Sequence, residues 1–219
     1  MKWQTGVLPA ATVRALDFFA QARWLTGSHW YLAGGTALAL QVGHRSSEDL
    51  DFFTSEKTFA VNDVLQHLME PDWRTTDAEE GTIYGECLGA KTSFIAYPFF
   101  VLKEKMLMYG AISVLSARDI AVMKIIAISQ RGRKRDFVDL YWYSMNKEIL
   151  IEIVKRLPDQ YPSVAHDYHH ILKAMLYFDD AENDPMPILN FKTDWKMVKD
   201  YFRREVPKIA EELLGLKTS

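Results

Sequence analysis

Residues 31–53 read YLAGGTALALQVGHRSSEDLDFF, and this stretch decides the fold. Trp30-Tyr31-Leu32-Ala33 is a short apolar strand that runs into Gly34-Gly35. Thr36 to Val42 (TALALQV) reads as a helix beginning at those glycines, and Glu48 to Phe53 (EDLDFF) as a second strand. A strand that ends in Gly-Gly and feeds a helix offers backbone N–H groups at the helix N-terminus. Glycine lets that backbone approach a phosphate with no side chain in the way. Taken alone, the pair fits a plain tight turn as well.

The second strand sharpens the reading. Residues two apart in a strand point the same way, so Asp49 and Asp51 share one face while Leu50 and Phe52 share the other. Aspartate is disfavoured in strands, and two neighbouring carboxylates repel unless something positive neutralises them. A hard cation such as Mg²⁺ does so with carboxylate oxygens, and through it a nucleoside triphosphate can be held and its α-phosphate polarised. The plainer alternative is that Asp49 caps a turn after Ser46-Ser47 and only Asp51 is buried. Arg45, beside His44, suits either a phosphate or carboxylate partner, or else a loop-surface position or an ordinary salt bridge with Glu48 or Asp49. Ser46 adds a hydroxyl for a phosphate or the shell of a metal.

Outward from this unit, residues 10–25 read as an amphipathic helix with Val13, Leu16, Phe19 and Ala20 inward, and 58–69 as another with Phe59, Val64, Leu65 and Leu68 inward. Thr82 to Tyr97 is patterned as a hairpin with a Gly-Ala turn, closed by Pro98. Beyond about residue 115 the chain reads as helices at 117–130, 135–145, 147–156, 163–178 and 194–214, with Asp179 to Asn190 as a loop. The fold class is therefore α+β: an α/β domain over 1–115, then a helical domain over 116–219 that packs on it and completes the active site.

The helical half carries further candidates. In IAVMKIIAI (120–128) Lys124 is the only charge and projects from an apolar helix face. It either snorkels to water or neutralises charge on a triphosphate and its leaving pyrophosphate. Asp136 and Asp139 share a face of the next helix, as acids near a helix N-terminus often do. Asp136, the stronger candidate, can orient Lys124 or act as a third carboxylate or base. Arg131-Gly132-Arg133-Lys134-Arg135 is the dense basic cluster, suited to a phosphate backbone or to a solvated loop. The trio His166, His169 and His170 has helical spacing, but no acid-rich segment accompanies it as a zinc site would require.

Totals narrow the classes. The 219 residues are 48% apolar and 25% charged with net charge −3, enough for a real core and without a global pull toward nucleic acid. Cys87 is the one cysteine, which rules out an intramolecular disulfide and fits a reducing cytoplasm. No apolar run suits a signal peptide or a membrane span, so the chain reads as cytoplasmic with no membrane partner. GxSxG, HExxH and Walker motifs are absent.

A glycine pair followed by DxD on a strand resembles the nucleotidyltransferase superfamily that includes DNA polymerase beta. GGTALALQVGHRSSEDLDFF and the later KIIAISQRGRKRDFVDLY more narrowly resemble the AbiEii/AbiGii toxin family, across roughly residues 10 to 210. The resemblance implies a nucleotidyltransferase-fold mixed sheet with flanking helices and a helical C-terminal bundle. It implies transfer of a nucleotide from an NTP to an acceptor, RNA and in particular the 3′ end of tRNA, in a protein restrained by a cognate antitoxin. Asp49 and Asp51 would bind Mg²⁺, and Gly34, Gly35, Thr36, Arg45 and Ser46 would meet the nucleotide. Lys124 and Asp136 would serve catalysis. One departure is clear: many superfamily enzymes carry a third acid on a strand after DxD, and KTSFIAY has none, while Glu86 lies one strand earlier. A binding module with a relic site, or transfer to a protein or small molecule, uses the same residues.

Overall fold

The computed structural model describes residues 2–69, 71–164 and 166–215. The chain divides into two compact units, Met1–Asp119 and Ile120–Ser219. Among the described residues no helix is long and apolar enough to cross a membrane.

The first unit is built on one mixed sheet. Its strands are β1 (Trp30–Ala33), β2 (Leu50–Thr54), β3 (Trp73–Glu79), β4 (Thr82–Cys87), β5 (Ala90–Ala96), β6 (Leu107–Tyr109) and β7 (Ile112–Val114), in the spatial order β3-β4-β5-β2-β1-β7-β6. β2 pairs antiparallel with β1 and parallel with β5, and β1 pairs parallel with β7. The helices are α1 (Ala10–Ala20), α2 (Gly34–Val42) and α3 (Val61–Leu65).

Alternation along β2 gives the sheet two faces. Leu50, Phe52 and Thr54 are buried, whereas Asp51 and Phe53 are half-buried on the other side. On the buried face Phe52 stacks on Phe94 with centroids 4.9 Å apart and planes 9° apart, and Phe19 of α1 lies 4.9 Å from Phe52. Such aromatic pairs add about 0.5–1.5 kcal/mol each beyond the area they bury. This cluster holds β2 rigid, and so holds the aspartates on its opposite face.

Several expected elements are shorter than their patterns suggested. α1 stops at Ala20, a separate 3₁₀ turn (Arg23–Leu25) follows, and the buried stripe of α1 is Thr12, Ala15, Leu16 and Phe19. α3 covers five residues; Val64 and Leu68 are buried, while Phe59 and Leu65 are half-buried. The β4–β5 hairpin turns at Leu88-Gly89, both at positive φ (50° and 87°), one residue before the expected Gly-Ala.

In the second unit α4 (Ala117–Arg131), which begins at the end of the first unit, α5 (Lys134–Asn146) and α10 (Trp195–Leu214) are the long helices. Between them lie α6 (Leu150–Val154), α7 (Leu157–Gln160), α8 (Tyr168–Ala174) and α9 (Asp179–Glu182). The core forms where Phe137 of α5 meets Phe178 at 5.2 Å and Phe202 of α10 at 5.3 Å. The helix expected over 163–178 covers only Tyr168–Ala174, capped by Asp167, which accepts from His170 N–H at 3.1 Å; Ala165 lies outside the described residues. The expected loop over 179–190 contains the single turn of α9.

Candidate active site

Asp51 is placed by its neighbours on both sides. In register it faces Ala33, the last residue of β1, and on its other flank Ser93 of β5. Ser93 Oγ donates to Asp51 Oδ1 at 2.8 Å and so orients the carboxylate. Asp49 immediately precedes β2, and both aspartates line one cleft of about 370 Å³. The alternation read from EDLDFF therefore delivers both carboxylates to one side, although the strand starts only at Leu50.

The two glycines do different things. Gly34 is left-handed, with φ +73°, and a Cβ there would lie 3.0 Å from Asp51 Oδ2. Its bare backbone is thus what lets the start of α2 sit against the carboxylate. Gly35 leaves room for a protein group instead, because a Cβ there would collide with the guanidinium of Arg45 and come within 3.3 Å of Ser47 Oγ. Arg45 is buried, 3% exposed, and donates to the Ser46 carbonyl at 2.8 Å. It is a support beneath the start of α2 rather than a loop-surface arginine.

Thr36 is buried as well, and its hydroxyl donates to Ser47 Oγ at 2.9 Å. Ser46 is half-buried, and His44 is buried. The N-cap residue of α2 is Ala33, whose side chain offers no capping oxygen. The first N–H groups of a helix lack intrahelical partners and carry the positive end of its dipole. The carboxylate of Asp51 stands beside that end, an arrangement that suits a cation and a phosphate together.

The cleft extends over β5 and β4. Tyr84 is in register with Ser93, and Glu86 with Lys91; all four line it. Glu86 is the further acid of this face, and it pairs with Arg74 of β3 at 2.7 Å. Ser93 occupies the place beside Asp51 where a third acid was sought. Deeper on β1, burial pushes the Tyr31 hydroxyl well above the ordinary phenol range, and it has no hydrogen-bond partner among the described residues.

The second unit holds a buried ionic cluster. Lys124 Nζ lies 2.6 Å from Asp136 Oδ1 and 2.7 Å from Asp139 Oδ2, and both acids are fully buried. Arg131 Nε approaches the other oxygen of Asp136 at 3.5 Å. Lys124 is therefore held by two carboxylates, and Asp139 serves it as closely as Asp136 does. Removing charges from water is expensive, so one ammonium facing two buried carboxylates marks a place where burial and charge are arranged against the trend.

The basic cluster is largely engaged within the protein. Arg133 pairs with Asp184 at 2.9 Å, and Lys134 donates to the Asp184 carbonyl at 2.5 Å and the Glu182 carbonyl at 3.1 Å. His166 precedes α8, so the three histidines do not share one helical face; His170 Nε2 lies 3.1 Å from the Ser129 carbonyl. Among the described residues no three His, Cys, Asp or Glu side chains are grouped to hold a metal.

Sequence reasoning missed Ser47, Ser93, Lys91 and Tyr84. The last three were within reach, because KTSFIAY and TIYGECL alternate and their polar positions fall on the face that carries Asp51.

The chain is 36% identical over 190 residues to the uncharacterized protein aq_aa25 of Aquifex aeolicus (strain VF5), covering 83% of this chain and 88% of that one. JHP933 from Helicobacter pylori shares the fold with a TM-score of 0.54 at 18% identity, covering 95% of each chain. MenT4, a nucleotidyltransferase toxin from Mycobacterium tuberculosis, does so with a TM-score of 0.56 at 14% identity, covering 93% of this chain and 86% of that one. At these identities the structural likeness is one of fold. The family model for the nucleotidyl transferase AbiEii toxin of type IV toxin–antitoxin systems matches residues 20–81 and 84–214, and the chain, a nucleotidyltransferase, belongs to that family.

Proposed function

We propose that this nucleotidyltransferase uses an Mg²⁺-bound NTP to add a nucleoside monophosphate to RNA, with tRNA 3′ ends as the acceptor, and that a cognate antitoxin restrains it. The observation that carries the reading is the Asp49–Asp51 pair in one cleft, with Asp51 against the start of α2. Mg²⁺ is usually held by one or two carboxylates together with substrate phosphates and water, and this pair fits that donor set. Bound there, the metal would polarise the α-phosphate and tie the triphosphate to the two aspartates.

The chain's own residues have separable tasks. Ser93 fixes the Asp51 carboxylate, and Gly34 and the first N–H groups of α2 receive phosphate oxygens. Arg45, Ser46, Ser47 and Thr36 hold that turn in place. Lys124, held by Asp136 and Asp139, is the further candidate for a catalytic role. In the transfer the acceptor's 3′ oxygen bonds to the α-phosphorus, and the bond from that phosphorus to the bridging oxygen breaks. Pyrophosphate leaves with the electron pair, and the hydroxyl proton is released.

The test incubates purified protein and Mg²⁺ with each α-labelled NTP and total bacterial RNA. Label in tRNA-sized RNA establishes donor and acceptor together. Label only in protein or small molecules would replace the RNA reading, and no label in any fraction would leave a nucleotide-binding module.

A further inference from the structure

The sheet gives Asp51 two different flanks. On the β1 side stand Ala33 and Gly34, leading into the start of α2. On the β5 side the cleft continues across Ser93 to Tyr84 and Lys91, whose strands follow in order. Group transfer to an α-phosphorus needs the attacking oxygen and the leaving group on opposite sides of that phosphorus. If the triphosphate takes the helix N-terminus, the flank over β5 and β4 is left for the acceptor.

That flank has the chemistry of a nucleotide subsite. Tyr84 is 45% exposed although it sits inside the cleft and in register with Ser93. It presents a ring to whatever enters, while the core face of the same strand is sealed by Ile83 and Cys87. Lys91 lies two residues from Ser93 on the same face, and its cross-strand neighbour Glu86 is turned to Arg74 at 2.7 Å. Tyr84 lies two strands from Asp51, a distance of about 10 Å at normal strand spacing. A base on the ring would therefore leave room for its ribose to reach the aspartates. An aromatic platform beside a cation is how single-stranded nucleic acid is held without reading its sequence.

We propose that the β4–β5 face of the cleft is the acceptor subsite, with Tyr84 stacking on the terminal base of a single-stranded RNA end and Lys91 pairing with its backbone phosphate. This rests on the transferase reading above, and it predicts binding that can be measured without transfer. A fluorescently labelled single-stranded RNA with a free 3′ end is titrated into the full-length protein and into its Tyr84→Ala, Tyr84→Phe and Lys91→Ala variants, with circular dichroism confirming that each is folded. Loss of one stacked base weakens binding about tenfold or more. Tyr84→Ala should show that loss, Tyr84→Phe should keep wild-type affinity, and Lys91→Ala should bind more weakly with a shallower salt dependence. Equal affinity of wild type and Tyr84→Ala, or no RNA binding by the wild type, overturns the subsite. RNA binding that depends on Tyr84 in a protein that transfers nothing would uphold the subsite and reject the transferase reading. Where transfer occurs, a rise in KM for NTP rather than for RNA in Tyr84→Ala would assign this face to the donor's base and overturn the proposal.

Discussion

A Cβ on Gly34 would lie 3.0 Å from Asp51 Oδ2, at a backbone φ of +73°. Backbone conformation and carboxylate position are thus coupled at one atom pair. Gly34→Ala should lose about 1–2 kcal/mol of stability from the left-handed backbone alone. It should also lose transfer at temperatures where it remains folded, because the methyl displaces Asp51. Thermal unfolding and a transfer assay on the same preparation separate the two effects.

Gly35 faces the guanidinium of Arg45, not Asp51. Gly35→Ala should destabilise by about 1–3 kcal/mol through overpacking. Shortening the arginine in the same chain, Gly35→Ala with Arg45→Ala, should cost less than the sum of the two single changes. A double-mutant cycle in urea measures this, and strict additivity would show that the two residues do not compete for that space.

Lys124 stands between two fully buried carboxylates. Removing one partner of a buried ionic group costs about 3–5 kcal/mol. Lys124→Ala should therefore unfold at markedly lower urea, and its inactivity by itself says nothing about catalysis. Lys124→Ala combined with Asp139→Asn should recover part of the stability. If activity stays absent in that double variant, Lys124 acts on the reaction as well as on the fold.

Much of this site was legible from residues 31–53, because two-residue periodicity is a strong constraint: once EDLDFF is a strand, Asp49 and Asp51 must share a side. The α4–α5 pairing was legible in part, since a lone lysine in IAVMKIIAI needs a partner and the next helix offers two acids. What was not legible depends on tertiary register. β3 reads WRTTDAE, an edge strand exposed after Trp73, so it lacks the apolar alternation that marks a strand with one buried face. β6 and β7 are three residues each, too short for any period to show. That Arg45 is buried was not legible, because nothing local reveals that Gly35 makes room for it.

Cys87 is buried, and its burial, with Asp72 nearby, pushes the thiol up to about 12. Its folded pKa exceeds the unfolded value of about 8.5, so the bound proton contributes stability that is complete below that pH. The contribution is lost as pH rises from there toward about 12. Native protein at mildly alkaline pH should react with a disulfide reagent far more slowly than protein unfolded in guanidinium. Thermal midpoints should also fall less steeply with alkaline pH in Cys87→Val than in the wild type.

In the proposed function Asp49 and Asp51 serve metal-dependent transfer. Its most direct test compares the wild type with Asp51→Asn, an isosteric change that can keep the contact with Ser93, for NTP binding and for Mg²⁺-dependent incorporation of α-labelled nucleotide. Asp51→Asn should stay folded and lose incorporation by at least a hundredfold, on the order of 3 kcal/mol in the barrier. Incorporation that survives in Asp51→Asn, and again when Asp49→Asn is added, would contradict it.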